Sequence, residues 1–196
     1  QNIYYFAAEI FLLSAKRRQK KEENMNKYVL SVLVKNHSGV LRRVSGLFAR
    51  RGYNIESLTV GVTENAKLSR MTVVVCGDEY IVDQITKQVS KLVEVIKVEI
   101  LKQEKSVYRE LLLVKVKTTK DTRAEILEIS NIFRSHVVDV SAGSLVLEAT
   151  GDANKLTAFL RMLEPFTILE IVRTGLAALQ RGETVFSEEE RSEDNA

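Results

Sequence analysis

The chain has 196 residues and a formal net charge of +3, with 45% hydrophobic and 28% charged side chains. That apolar share suffices for a packed core and excludes a wholly disordered chain. A single cysteine excludes a disulfide framework or thiolate metal cluster and points to a reducing, cytoplasmic setting. Two histidines, His37 and His136, exclude a histidine-rich metal centre. The positive charge is too diffuse to announce nucleic acid as a partner.

Residues 1–25 read as an N-terminal extension. An apolar run from Ile3 to Leu13 precedes the basic Lys16-Arg17-Arg18 cluster. A secretory signal has the opposite order, and the run is too short for the roughly 20 residues that cross a bilayer. Upstream translated sequence, an expression remnant or a partner-packing helix all fit, and Met25 is a natural start because regular patterning begins after it. Residues 187–196 are an acidic tail, expected to fray.

Between these ends the pattern repeats. Tyr28 to Val34 alternates as a strand, and Asn36-His37-Ser38-Gly39 has turn and cap chemistry. From Val40 the period becomes helical, with Val40, Leu41, Val44, Leu47 and Phe48 on the apolar spacing and Arg42, Arg43, Arg50 and Arg51 outward, ending at Gly52. Asn54 to Val62 and the run through Met71, Val73 and Val75 are strands, Gly77-Asp78 caps a second helix, and Val93 to Leu101 closes the unit. A slip in alternation at Val95-Ile96 marks a bulge. The same βαββαβ order recurs: a strand through Leu112, Val114 and Val116, a helix opened by a capping box at Thr122 and Glu125, strands at Val137–Ser141 and Leu145–Thr150, a helix capped at Gly151-Asp152 and stopped by Pro165, and a last strand to Thr174. The spacing predicts an α+β chain of two tandem ferredoxin-like modules, each with two helices on one sheet face. Val29, Leu33, Leu112 and Val138 put apolar side chains on both faces, so an uncovered face is expected to associate with something.

Chemistry-bearing motifs are sparse. Cys76 reads as a buried structural thiol and His136 as a residue beside a helix end, and neither forms a nucleophile–base pair. No glycine-rich phosphate loop occurs. The open sheet offers Leu30, Met71, Val73 and Val75 rather than the aromatic pair on which RNA bases stack. The loop Asn36-His37-Ser38-Gly39-Val40 is the exception. A helix N-terminus suits a carboxylate, Gly39 admits close approach to the backbone, and Asn36 and Asn54 offer amide oxygens to an ammonium. Val40, Leu41 and Ile55 can supply an apolar wall. Together these describe a receptor for a small apolar amino acid, with Asn54 expected near the loop. The same residues also read as a plain helix cap and a chain turn, and spacing alone does not separate the two readings. The second module has Lys117-Thr118-Thr119-Lys120-Asp121 at this point, with no glycine, so no second site is expected there.

The runs Leu30 to Leu41, Gly46-Leu47-Phe48, Arg51 to Thr59 and Leu68 to Thr72 resemble the small, regulatory subunit of acetohydroxyacid (acetolactate) synthase. The run Arg51-Gly52-Tyr53-Asn54-Ile55-Glu56-Ser57-Leu58 is the most specific of them. Arg109 to Lys115, Ile132-Phe133-Arg134, Val138-Asp139-Val140 and Arg173-Thr174-Gly175-Leu176 continue the likeness, to about residue 186. The resemblance implies an ACT domain at 26–102 and a second ferredoxin-like module at 103–186. It implies a non-catalytic chain that activates a large catalytic subunit carrying thiamine diphosphate, Mg and FAD, and that confers feedback inhibition by valine or another branched-chain amino acid. In the family the effector residues correspond to Asn36, Gly39 and Asn54, and ACT domains pair as homodimers with effector between protomers. No cofactor in this chain, no nucleic acid and no membrane are expected. A stand-alone ACT-type amino-acid sensor acting on another partner is the alternative.

Overall fold

The computed structural model describes residues 26–183 and 185–186; the expectations for the N-terminal extension and the acidic tail lie outside them. Strands are β1 (Asn26–Lys35), β2 (Ile55–Val62), β3 (Leu68–Gly77), β4 (Val95–Leu101), β5 (Ser106–Lys117), β6 (His136–Val140), β7 (Ser144–Gly151), β8 (Ile168–Arg173) and β9 (Ala177–Gln180). Helices are α1 (Val40–Arg50), α2 (Glu79–Val89), α3 (Arg123–Ile132) and α4 (Ala153–Leu163). Two antiparallel sheets result, ordered β2-β3-β1-β4 and β6-β7-β5-β8, which is the tandem βαββαβ arrangement.

Alternation decides which face each strand buries. Leu30, Val32 and Val34 join Met71, Val73 and Val75 beneath Val44, Phe48, Val82 and Ile85 of the two helices. In the second module Leu112, Val114 and Val116 join Leu145 and Leu147 beneath Ile126, Leu156 and Phe159. Leu112 thus belongs to the helix-covered core and not to the opposite face. The bulge stands where alternation slips: Leu33 faces Lys97 but Val34 faces Val95, leaving Ile96 as the extra residue.

Local cap chemistry differs from expectation at one helix. Asp78 and Asp152 cap α2 and α4, each accepting from the amide three residues on, at 2.8 Å. The expected box at Thr122 and Glu125 does not form. The reciprocal bonds lie one turn earlier, with Thr119 N donating to Thr122 Oγ1 at 2.9 Å and Thr122 N to Thr119 Oγ1 at 3.3 Å. Two hydroxyls three residues apart satisfy the amides of Thr119 and Thr122, while the first-turn amides of α3 receive no side-chain cap.

The second face of the first sheet is covered, against expectation. After β8 the chain turns back and β9 pairs with the first half of β5. Leu176 and Ala178 then pack on Val29, Val74 and Leu101, and Phe186 packs on Leu33, Leu68 and Ile96. Gly175 permits this crossing, because a Cβ there would stand 2.5 Å from Thr59 Oγ1 and 2.7 Å from Ser57 Oγ. Val138, Val140, Leu169 and Val172 of the second sheet remain exposed.

Candidate functional site

The first module presents the loop that joins β1 to α1. Asn36 is tied down by two bonds, its N–H to Lys67 O at 2.7 Å and its Nδ2 to Ala66 O at 2.9 Å. Its amide nitrogen is thereby engaged, while its Oδ1 is free to accept. His37 Nδ1 lies 3.0 Å from Ser38 O, and both side chains are exposed. Gly39 is the N-cap, at φ 88°, a left-handed conformation that glycine adopts without strain. No side chain caps this helix, in contrast to α2 and α4. Gly39 O accepts the first helical bond from Arg43 N at 3.0 Å, but the amides of the first turn have no side-chain acceptor. They carry the positive end of the helix dipole toward solvent.

Beside them lies a recess of about 440 Å³ lined by Gly39, Arg42, Arg43, Arg50 and Leu92. Arg43 is held there by Glu94, the one charged residue that is buried among those described. With Arg43 matched by Glu94 and Arg50 in the last turn of α1, Arg42 is the arginine that adds positive charge beside the first-turn amides, and the loop can take an anion. A wider cleft of about 910 Å³ opens between the modules, where two of its cations are matched in place, Lys27 with Glu56 and Arg173 with Glu110. The Lys27 bond holds the Glu56 carboxyl below its ordinary value, and Glu56 holds Lys27 above its own. That leaves the loop as the better candidate for an anionic ligand, despite its smaller recess.

Three sequence-derived placements need correction. Val40 is buried in the core and offers no wall to a ligand; Leu41, 45% exposed, is the apolar side chain that the loop presents. Cys76 is not in the core: its thiol is partly exposed and donates to Glu56 Oε2 at 3.0 Å. Burial first, and the Glu56 carboxylate second, push that thiol above its ordinary value, which makes it a poor nucleophile.

The third correction concerns Asn54 and Ile55. Ile55 pairs with Val75, which pairs with Tyr28, at the start of β1; Asn36 follows the end of that strand. From Tyr28 to Asn36 the strand spans ~26 Å at about 3.3 Å per residue. Because α1 runs back along the sheet, its two ends cannot meet in one chain. Asn54 is exposed there, and Ile55 packs against the first core. A feature that the sequence pattern missed is the Arg43–Glu94 pair, whose only signal is an acidic residue just before an apolar strand.

Comparison with known proteins agrees with this architecture. Residues 30–97 match the family model for the AHAS small subunit-like ACT domain, and residues 109–182 match that for the small subunit of acetolactate synthase. A relative described as a probable acetolactate synthase small subunit of Archaeoglobus fulgidus is 52% identical over 156 residues, 80% of this chain and 98% of its own. The acetolactate synthase small subunit of Mycobacterium leprae is 51% identical over 155 residues, 79% of this chain and 92% of its own. The solved small subunit from Thermotoga maritima superposes with a TM-score of 0.76 at 42% identity, covering 81% of this chain and 99% of that one. The chain belongs to the acetolactate synthase small-subunit family, and its first module is an ACT domain of that family's type.

Proposed function

We propose that the chain binds valine or a related branched-chain amino acid at the β1–α1 loop and transmits that binding to a large catalytic subunit, raising its activity when empty and lowering it when occupied. The observation that carries the proposal is the uncapped first turn of α1 behind a left-handed Gly39: Asp78 and Asp152 close the equivalent turns of α2 and α4, while α3, also without a side-chain cap bond, has Thr122 in place of the glycine. A carboxylate there gains the bonds that a capping side chain supplies elsewhere.

The rest of the ligand is met by a second protomer. β2 is an edge strand with exposed Val60 and Val62, and Leu41 is exposed at the start of α1. Two copies pairing along β2 about a two-fold axis run antiparallel, so one protomer's α1–β2 junction lies at its partner's β1–α1 loop. Asn54 of the partner subunit then supplies the amide oxygen for the ammonium group, and Leu41 the apolar contact. This arrangement accounts for two amide residues that sit ~26 Å apart in one chain yet serve one site.

Thiamine diphosphate, Mg and FAD chemistry is assigned to the large partner, and a cytoplasmic location follows from that partnership. No helix among the described residues is long and apolar enough to cross a membrane. Reconstitution tests the proposal: acetolactate formation by the large subunit should rise on adding this chain and fall again with L-valine. An activity indifferent to the chain would favour the stand-alone sensor reading, in which valine binds without that partner.

A further inference from the structure

The chain's final described stretch links its second module to the back of the amino-acid loop. The Phe186 ring is 7% exposed, resting on Leu33, Leu68 and Ile96. Arg70 Cζ and Lys97 Nζ stand 5.0 and 5.2 Å from its centroid, and Arg70 Nη2 donates to Phe186 O at 3.3 Å. These supports are the neighbours of the residues that hang the loop. Lys35 pairs with Leu68, its N–H donates to Glu94 O at 2.9 Å, and Asn36 bonds to Ala66 and Lys67. Leu68 and Ile96 thus touch Phe186 while residues next to them hold Lys35 and Asn36 at the end of the β1–β3 ladder.

The cover is firm at its ends and weak between them. Across the sheet, Thr59, Thr72, Ser31 and Glu99 are register partners in one row. Gln180 donates to Glu99, and Ser106 pairs with Gln180. Ser31 is 1% and Ser106 3% exposed, yet the side-chain oxygens of Ser31, Ser106 and Thr59, and Oε1 of Gln180, have no partner in the protein. Buried polar groups left unmatched oppose the apolar contacts at either end. Such unmatched groups lower the cost of releasing the segment relative to a fully satisfied one.

We propose that docking of Phe186 is coupled to occupancy of the amino-acid loop, so that the second module's C-terminal segment reads the effector. The coupling rests on the site reading above. The docked ring braces residues 66–68 and 94–96, and through them holds Asn36 and the first turn of α1 in the arrangement that accepts ligand. Ligand and docked ring therefore favour one another, and the favour is equal in both directions.

The test titrates L-valine calorimetrically into the full chain and its F186A and F186L variants, with melting curves for each. F186A should weaken valine about 5-fold or more, and F186L, which keeps the contacts with Leu33, Leu68 and Ile96, should recover most of that loss. The chain has no tryptophan, so F186W places a unique reporter at the joint. Its emission should move to shorter wavelength as valine saturates. Wild-type binding that F186A leaves within about two-fold, with no spectral movement in F186W, overturns the coupling alone. A wild-type chain that takes up no valine overturns the site reading, and the coupling falls with it.

Discussion

Replacing Gly39 separates backbone strain from ligand exclusion, because the structure gives each its own size. A Cβ at Gly39 meets no heavy atom within 4 Å, so crowding within the protein contributes nothing. What remains in G39A is the left-handed backbone at φ 88°, which costs an alanine about 1–2 kcal/mol. In a protein of this size that lowers the melting midpoint by roughly 2–8 °C. An aspartate tolerates the left-handed region better and carries its charge to the mouth of the first turn. A ligand carboxylate about 4 Å from that charge meets ~4 kcal/mol of repulsion at an effective dielectric of 20, and about half that when solvent screens it further. G39D should therefore weaken valine by roughly 30- to 900-fold, while melting no lower than G39A. Calorimetric titration alongside scanning calorimetry reads both quantities. A folded G39D chain that binds valine within about three-fold of wild type would refute the assignment of the carboxylate to these amides.

Three further perturbations probe other parts of the account. N54A should weaken valine by about 1–3 kcal/mol, and mixing N54A with G39D chains should restore one intact site in each mixed dimer; if mixing restores nothing, the site is not shared between protomers. G175A should cost about 1–3 kcal/mol in thermal stability by driving a methyl group into Thr59, Ser57 and Leu58 O, and an unchanged melting midpoint would contradict the close crossing of the C-terminal segment. The raised Cys76 thiol should resist alkylation around its ordinary value of 9.0 and react faster in E56Q, since removing the carboxylate removes one cause of the shift; an equal or slower rate in E56Q would contradict the Cys76–Glu56 bond.

The modules are legible because turn and cap residues separate strand-like apolar runs from segments of helical period, even where β1 and β3 bury both faces. Even the irregularity at Ile96 was visible as a slip in that period. Asp78 and Asp152 announced their helices because a cap is a contact between residues three apart. What escaped was non-local. β9 is short and pairs with a strand far back in the chain, and the cover it brings to Val29 and Val74 belongs to the other module. Glu94 acquires its meaning only from Arg43, 51 residues away. The expected nearness of Asn54 to the loop fails within one chain, because a strand–helix–strand unit returns the chain to the sheet end where it started. On the proposed two-fold pairing the counterpart of Asn54 would come from a second copy, and a single sequence carries no direct signal of that.

The amide grip on a carboxylate is tested most directly by comparing two ligands on the unmodified protein. L-valine and L-valinamide share the ammonium group and side chain and differ in the anion alone. Titrated into the full chain under identical conditions, valine should bind at least about 10-fold more tightly than valinamide, as expected for a charge-assisted contact at a helix N-terminus. Equal affinities for the two would contradict the account, whatever else the chain binds.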